Sequence, residues 1–246
     1  MAFKDHFSAR AGIYAQYRPH YPHELFDWLA TLVSNHEAVW DCAAGSGQAS
    51  VSLAEIFDRV IATDASEKQI AMAVPQERIE YRVAPADKSG LDDQSVDMVT
   101  VAQAIHWFDH ESFYREVRRV LRPNGAIVVW AYGDPVVDDS VLDRIVYKYN
   151  RGTIEKYWKP ERDLILQGLQ TIPFPFDEIA APFLEMTQDW TLEQLAGYMR
   201  TWSATDAYAR VLGSDPVAPV EAELAAHWGR GVHRVTWPLH VRAGYQ

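Results

Sequence analysis

A run of small residues follows the first apolar segment of the chain, in "VWDCAAGSGQAS" at positions 39–50. Gly45 and Gly47 carry no side chain, and glycine lets a backbone turn approach a bound molecule closely. Asp41 immediately precedes this run. The pattern predicts a ligand-binding turn between a strand and a helix, with a tight turn that binds nothing as the alternative.

Two more acidic residues stand at the ends of later strands. Asp64 ends "RVIATD" (59–64), where a carboxylate can accept hydrogen bonds from both hydroxyls of a ribose. Asp87 follows the third strand in "APAD", where a carboxylate can accept a hydrogen bond from an adenine amino group. Together with Asp41 they place carboxylates after three consecutive strands, which outlines an adenosine site and disfavours the empty turn.

Two cofactors compete for such a site. A nicotinamide dinucleotide requires G-x-G-x-x-G, and Ser50 stands at the third glycine position. That cofactor also gives no reason for an acidic Asp41 close to a pyrophosphate. S-adenosylmethionine has no phosphate and carries a sulfonium and an ammonium, so acidic groups around the turn attract it. Charge therefore favours S-adenosylmethionine.

The elements that must position these residues alternate between short apolar strands and amphipathic helices. The strands are expected at 38–41, 59–64, 79–84, 96–103, 126–133, 181–190 and 232–245, and the helices of the first half at 48–57, 66–73 and 110–121. Such alternation predicts βαβ units. The expected fold is α/β: a doubly wound, Rossmann-like, seven-stranded and mostly parallel sheet whose last strand is antiparallel. Pro238 in that strand predicts an edge position or a bulge.

The chain is expected to form one domain over residues 1–246. Residues 1–37 are predicted to be a lid segment, 38–133 the cofactor-binding core, 134–180 a helical substrate lobe, and 181–246 the strands and helices that complete the sheet. The central division follows the change from alternating strands and helices to a polar, aromatic and proline-containing stretch after Gly133.

The turn resembles the first motif of class I S-adenosylmethionine-dependent methyltransferases, [D/E]-x-G-x-G-x-G. Asp41, Gly45 and Gly47 match it, and Ala43 replaces its first glycine. The resemblance continues in "VDMVTVAQAIHWF" (96–108) and "LRPNGAIVV" (121–129) and covers most of the chain. "YAQYRPHYP" and "TWSATDAY" (201–208) are similar to the branch that contains trans-aconitate and cantharidin methyltransferases, which act on small acids.

The resemblance implies a role for each matching position in binding the methyl donor. The backbone of the turn would line the methionine portion, Asp64 the ribose and Asp87 the adenine amine. Gln103 would lie near the methionine ammonium and the transferable methyl group, although a hydrogen bond from the strand end to the next loop also explains it. The implied cofactor-binding residues are Asp41, Ala43, Gly45, Gly47, Asp64, Asp87 and Gln103.

Methyl transfer needs alignment and exclusion of water more than strong acid–base groups. An aromatic pocket over the donor meets this need. The candidate acceptor-site aromatics are Tyr14, Trp107, Trp130 and Trp202. Core filling is the alternative for all four, and especially for Trp130, which lies on a buried strand.

Two polar residues complete the candidate site. Arg18 can hold a carboxylate of the donor or of an acidic acceptor through both guanidinium nitrogens, or it can stack on neighbouring tyrosines. His106 is a candidate catalytic base, whereas a carboxylate acceptor needs no base and would leave His106 to orient or pack. His106 and His110 are four residues apart, but without a third ligand no metal site is expected.

The sequence thus predicts a cytoplasmic S-adenosylmethionine-dependent methyltransferase that methylates a carboxylate or hydroxyl oxygen of a small molecule. A nicotinamide-dependent oxidoreductase and a catalytically silent S-adenosylmethionine-binding module are the alternatives. The net charge of −11 disfavours nucleic acid and anionic membranes as partners. The single cysteine, Cys42, and a start without an apolar signal core fit the cytoplasm, and a monomer or weak dimer is expected.

Overall fold

A computed structural model describes residues 17–246 and contains all seven predicted strands together with two short ones. The strands are β1 (Ala38–Cys42), β2 (Arg59–Asp64), β3 (Ile79–Val83), β4 (Val96–Ala102), β5 (Leu121–Tyr132), β6 (Val136–Val137), β7 (Asp177–Ile179), β8 (Glu185–Trp190) and β9 (His233–Tyr245). The helices are α1 (His23–Thr31), α2 (Gln48–Leu53), α3 (Glu67–Ile70), α4 (His110–Val120), α5 (Ser140–Lys148), α6 (Arg162–Leu166), α7 (Leu192–Arg200), α8 (Ser203–Leu212) and α9 (Val217–Trp228).

The strands form one sheet in the order β3-β2-β1-β4-β5-β9-β6, and β7 and β8 also pair with β9. The first five strands are parallel, and β9 is antiparallel to β5, as the sequence predicts. The direction of winding reverses between β1 and β4. Ligands bind beyond the carboxyl ends of the strands at such a switch point, which is where the turn after β1 and Gln103 after β4 lie.

Both faces of the sheet are covered, because successive residues of a strand point to opposite sides. Val39, Met98 and Val128 belong to the core on one face, together with residues of α1, α5 and α7. Trp40 and Val99 belong to the core on the other face, which α4 covers with Phe113, Val117 and Val120. Strands buried on both faces explain the near-continuous apolar runs in the sequence.

The last strand differs from the expectation for an edge. β9 lies between β5 on one side and β7 and β8 on the other. Pro238 is tolerated there because it stands where the pairing partners change: β8 begins opposite it at Glu185, and its carbonyl accepts a hydrogen bond from the Gly133 amide at 2.9 Å. The predicted edge position of this strand was therefore wrong, because β9 has partner strands on both sides.

Three boundaries were also wrong. The segment "RPNG", expected as a turn before the fifth strand, lies within β5, where Asn124 has a φ of 62° and the register with β4 shifts. The helix expected over 191–204 is two helices, α7 and α8, separated by Thr201 and Trp202. The helix expected at 48–57 ends at Leu53.

Residues 134–180 contain β6, α5, α6 and β7, joined by a π-helical turn at Tyr149–Thr153 and a 3-10 turn at Glu155–Tyr157. The start of this segment follows β5 directly, so it lies at the same end of the sheet as the turn after β1. None of the helices in residues 17–246 combines the length and the apolar character needed to cross a bilayer.

Candidate active site

The turn after β1 has a left-handed backbone at alternate positions. Ala43 has a φ of 56°, Gly45 of 59° and Gly47 of 89°. A Cβ atom on Gly45 would meet only the Gln69 Oε1 atom at 3.9 Å, so the outer surface of the turn is open. A Cβ atom on Gly47 would lie 2.4 Å from the Tyr81 hydroxyl oxygen, so the inner side is filled. The turn thus presents bare backbone outward and is supported from below by β3.

Asp64 joins the end of β2 to this turn. Its Oδ2 atom accepts a hydrogen bond from the Gly45 amide at 2.9 Å, and its Oδ1 atom accepts one from the Ser66 amide at 2.8 Å. These two amide bonds hold the Asp64 carboxylate at the turn. Asp87 lies exposed in the turn after β3, at the same edge of the sheet.

Asp41 lies beneath the turn and has no exposed surface. Its Oδ2 atom accepts a hydrogen bond from the Ser50 hydroxyl at 2.6 Å, and its Oδ1 atom accepts one from the Thr100 hydroxyl at 3.1 Å. Burial raises its pKa to about 6, and the negative charge of Asp64 acts in the same direction, although the two hydroxyl bonds oppose it. Asp41 is therefore predicted to act on a ligand through its charge and through the shape of the turn, without touching it.

A cavity of about 100 Å³ lies past the carboxyl ends of β4 and β5. It is lined by Arg18, Gln103, His106, Trp107, Tyr132, Gly133, Asp134, Pro135, Trp158, Lys159, Arg162, Ile165, Leu166, Tyr198, Trp202 and Ser203. The cavity thus brings together five predicted site residues, namely Arg18, Gln103, His106, Trp107 and Trp202. A larger open groove of about 500 Å³, beside residues 178–184, is lined by none of the predicted site residues.

The predicted aromatic residues divide between cavity and core. Trp107 lines the cavity, and Trp202 does so while packing against Tyr149 and Trp158 with ring centroids 5.9 Å apart in each case. Trp130 is completely buried, packs edge-on against Tyr21 at 5.6 Å and does not line the cavity, which agrees with the core-filling alternative. Tyr14 lies outside the described residues.

Gln103 and Arg18 both connect the cavity to β5. Gln103 has a φ of 56°, a conformation that costs energy for a residue with a side chain and that clusters at functional sites. Its side-chain nitrogen donates to the Tyr132 carbonyl at 3.4 Å. The Arg18 guanidinium donates to the Tyr132 hydroxyl at 2.7 Å and lies 5.6 Å from the centre of the Tyr198 ring.

His106 lies in the 3-10 turn after β4 and is 7% exposed. Burial lowers its pKa to about 3, with a smaller contribution from His110, so the imidazole is neutral at physiological pH. Its Nδ1 atom is buried and has no hydrogen-bond partner among residues 17–246. His106 is thus a neutral hydrogen-bonding group at the cavity wall and a weak base. Within residues 17–246, no three His, Cys, Asp or Glu side chains form a group that could hold a metal ion.

Comparison with known proteins identifies the class of this site. The profile of a methyltransferase domain family matches residues 40–129, from β1 to β5. A Dictyostelium discoideum protein named as a methyltransferase is 32% identical over 229 residues, which cover 90% of this chain and 86% of that protein. The chain belongs to the S-adenosylmethionine-dependent methyltransferases. This assignment removes the nicotinamide-dependent oxidoreductase from consideration.

Two further relatives are similar to this methyltransferase along most of its length. A solved structure from Anaeromyxobacter dehalogenans, described as a type II methyltransferase, is 43% identical with a TM-score of 0.86, and the match covers 93% of this chain and 97% of that chain. A Saccharomyces cerevisiae protein named as an S-adenosylmethionine-dependent methyltransferase is 26% identical, and the match covers 82% of each. The placement in the branch that acts on trans-aconitate and cantharidin stays a prediction.

The residues of the methyltransferase fit the donor that its family uses. The open side of Gly45 leaves room for a ligand against the backbone, and the acidic groups at this end of the sheet, Asp41, Asp64 and Asp87, suit a molecule with a sulfonium and an ammonium. The same charges would repel a pyrophosphate. No side chain of the turn itself needs to move, because its own residues are glycine, alanine and serine.

The sequence reasoning missed the charged residues that the methyltransferase supplies to the cavity from residues 134–166. Asp134, Lys159 and Arg162 line the cavity although none belongs to a recognised motif. The available signal was the clustering of charged residues around Trp158 in "NRGTIEKYWKPERD" (150–163), in the segment that follows the parallel core. A charge-rich stretch after the last parallel strand is a place to look for acceptor-binding residues.

Proposed function

We propose that this methyltransferase transfers the methyl group of S-adenosylmethionine to the carboxylate of a small acid. The observation that carries the proposal is the charge of the cavity wall. The protein has a net charge of −11, yet the described residues that line the cavity include three cations, Arg18, Lys159 and Arg162, and one carboxylate, Asp134. A cationic cavity in an acidic protein attracts an anion, and its volume of about 100 Å³ suits a small one.

The cofactor-binding roles in this proposal follow the sequence prediction. The backbone of Ala43, Gly45 and Gly47 lines the methionine portion, and Asp64 accepts the ribose hydroxyls. Asp41 supplies charge from beneath the turn. S-adenosylmethionine supplies an electrophilic methyl group when bound. The residues of this chain hold the donor, hold the acceptor and exclude water.

The acceptor side is formed by a cation and by flat aromatic walls. Arg18 is positioned to hold an acceptor carboxylate through its guanidinium, and Trp107 and Trp202 enclose the reacting atoms. A carboxylate is already a nucleophile at neutral pH, so the reaction needs no proton removed. A neutral His106, whose pKa lies at about 3, is then a wall of the cavity that can orient the acceptor without removing a proton.

The lid and lobe roles of residues 1–37 and 134–180 belong to the same proposal. Within the described part of the first segment, the Pro19 carbonyl accepts a hydrogen bond from the Gln48 side chain at 2.7 Å, and Arg18 binds Tyr132. These contacts tie the segment to the start of α2, directly after the turn, and to the end of β5. From the other segment, Trp158 and Arg162 close the far side of the cavity.

A labelled-methyl transfer assay tests the proposal. Purified protein and methyl-labelled S-adenosylmethionine are incubated with a panel of small carboxylic acids and with the matched primary amides. Label in a product that releases methanol on alkaline hydrolysis identifies a methyl ester and supports carboxylate methylation. Label in an alkali-stable ether identifies a hydroxyl acceptor instead. Donor binding without transfer to any acid, phenol or amine would identify a silent binding module.

The donor roles are tested by binding measurements. Asp64→Ala should weaken S-adenosylmethionine binding by roughly 1–3 kcal/mol, the value for a lost charge-assisted hydrogen bond. Asp92→Ala is the control, because Asp92 is exposed and lies in the loop before β4. Equal affinity in the two variants would remove Asp64 from the donor site. Arg18→Ala should raise the KM for acidic acceptors, whereas an unchanged KM and kcat would assign Arg18 to packing.

A further inference from the structure

Arg162 is a largely enclosed cation of the cavity wall. It is the first residue of α6, and its side chain is 12% exposed. The guanidinium carbon lies 3.9 Å from the centre of the Trp158 ring, within the range of a cation–π contact. The Trp158 indole nitrogen donates to the Asn150 Oδ1 atom at 2.9 Å, and Arg162 donates to the same oxygen at 3.2 Å. The guanidinium is thus fixed in place from one side.

Asp134 binds Arg162 from another side and is shared with a second arginine. The Asp134 Oδ1 atom accepts from Arg162, and its Oδ2 atom accepts from Arg151 at 2.8 Å. Two guanidinium groups therefore meet one carboxylate, which leaves one net positive charge at this wall of the cavity. Desolvation lowers the pKa of Arg162, and Asp134 acts against that effect. A second anion bound beside Arg162 would likewise stabilise the charged guanidinium against the cost of its burial.

Arg162 and Asp134 both line the cavity, whereas Arg151 does not. Asp134 is 31% exposed and Arg151 is 30% exposed, so this pair reaches towards solvent while Arg162 faces inward. The Arg162 guanidinium therefore already binds a carboxylate, that of Asp134, at the place in the cavity where the carboxylate of a small acid would bind. The Asp134 carboxylate has a second cationic partner on its outer side and need not be left unpaired on release.

We propose that Arg162 selects acceptors that carry a carboxylate, and that Asp134 occupies its guanidinium as an internal substitute which the acceptor replaces. On acceptor binding, Asp134 keeps its contact with Arg151, and Arg162 keeps its contacts with Trp158 and Asn150. The inference rests on the proposed function, because it adds to Arg18 a second cation that recognises the acidic acceptor. It extends that function by assigning specificity to a pair of residues outside every sequence motif.

A structural tie between β5 and α6 is the competing role for the pair, and the two roles differ in what the loss of Asp134 does. If Asp134 only holds Arg162 in place, Asp134→Asn weakens carboxylate binding. If Asp134 competes with the acceptor, the same substitution strengthens it. The sign of one affinity change therefore separates the two roles.

The test uses benzoate and benzamide as probes, since they share a shape and differ in charge. Their affinities for the full-length protein are measured by ligand-observed NMR without turnover. Arg162→Gln should weaken benzoate binding about 10- to 100-fold, as expected for loss of a charge-assisted contact, and leave benzamide within about twofold. Arg162→Lys should retain part of the benzoate affinity, because it keeps the charge and loses the planar fork.

Two further variants complete the set. Asp134→Asn should tighten benzoate binding about threefold or more, because the competing carboxylate is removed. Arg151→Gln is the matched control: it removes the other partner of Asp134, so Asp134 is held more by Arg162 and benzoate binding should weaken by less than about threefold. Thermal unfolding and S-adenosylhomocysteine binding confirm that each variant is folded with an intact donor site.

Equal benzoate affinity in the wild type and Arg162→Gln would overturn the assignment of Arg162. Weaker benzoate binding in Asp134→Asn would overturn the exchange. These failures are distinct from failure of the proposed function: a protein that methylates acids equally well with Arg162→Gln refutes only this inference. Benzoate binding through Arg162 with no methylation of any acid refutes only the proposed function.

Discussion

Asp41 is a buried carboxylate whose ionisation costs stability, and this cost can be measured. Burial raises its pKa from the usual 3.8 to about 6, against the two hydroxyl hydrogen bonds that favour the charged form. One pKa unit corresponds to about 1.4 kcal/mol, so ionised Asp41 destabilises the folded protein by about 3 kcal/mol relative to a solvent-exposed aspartate. Asp41→Asn removes that charge. The amide can still accept from one hydroxyl and donate to the other.

The sign of the effect sets the pH window. A raised folded pKa means that the folded protein binds more protons than the unfolded chain between pH 3.8 and about 6. The stabilisation associated with protonated Asp41 is therefore full below pH 3.8 and is lost as the pH rises through about 6. The unfolding free energy of Asp41→Asn relative to the wild type should rise over this window and level off near pH 7, with a total change of about 3 kcal/mol.

The assay is urea unfolding at intervals from pH 4 to pH 8, with Asp97→Asn as the matched control. Asp97 is also buried at the sheet, but its carboxylate accepts from Arg122 at 2.9 Å and from the Ala38 amide at 2.9 Å. Its replacement should destabilise the protein at pH 8 by about 1.5–3 kcal/mol, the value for hydrogen bonds to a charged group. The two variants should thus differ in sign. A difference curve for Asp41→Asn that is flat with pH would refute the reasoning.

The same variant tests what the charge does for function. S-adenosylmethionine carries a sulfonium and S-adenosylhomocysteine a neutral thioether in an otherwise similar molecule. If Asp41 acts through its charge, Asp41→Asn weakens binding of the first more than of the second. Equal loss for both molecules would show that Asp41 only shapes the turn through Ser50 and Thr100.

Three further predictions concern the turn after β1 and His106. Ala43→Gly should stabilise the protein by roughly 1 kcal/mol in urea unfolding, because Ala43 has a φ of 56° and glycine adopts that conformation without strain; a destabilised variant would contradict this. Gly47→Ala should destabilise more than Gly213→Ala, since both have positive φ but only Gly47 faces the Tyr81 hydroxyl, at 2.4 Å from the added Cβ, while Gly213 has open space. Equal melting temperatures would show that Tyr81 moves aside freely. The pH–rate profile should lack a limb near pH 6.5 from His106, whose pKa is about 3, and His106→Gln should leave the profile's shape unchanged; loss of a limb in that variant would identify His106 as a base.

The parallel core could be predicted from sequence because its signals are local. "RVIATD" is bounded as predicted at Arg59–Asp64, since its β-branched residues favour a strand and polar residues stand at both of its ends. The proximity of the turn and Gln103 also followed from sequence, because the carboxyl ends of neighbouring parallel strands meet at one edge. The order of the strands in the sheet therefore brings the separate sequence motifs together at one edge.

The acceptor side could not be predicted in the same way, because it depends on contacts between distant residues. Arg162 hydrogen-bonds to Asp134, which is 28 residues away along the chain and separated from it by several short helical turns. No periodic pattern in the sequence predicts such a contact. Trp130 was a candidate for the pocket, with core filling as the alternative, and it packs against Tyr21 and Phe26 on one face of the sheet. Pro238 suggested an edge, although its effect on pairing depends on where β5 and β8 end.

The two ends of the site carry opposite charge, and this arrangement limits what those charges can do for the rate. A sulfonium donor and a carboxylate acceptor both lose charge as the methyl group moves, so counter-charges hold the reactants more strongly than the transition state. Such interactions improve binding and do not raise kcat. Changes at Arg162 should therefore appear mainly in the KM of the acceptor. The rate enhancement must come from alignment and from the exclusion of water by the aromatic walls, so Trp202→Leu, at a residue that is 4% exposed, should lower kcat. A Trp202→Leu variant that keeps kcat and loses only KM would place the alignment elsewhere.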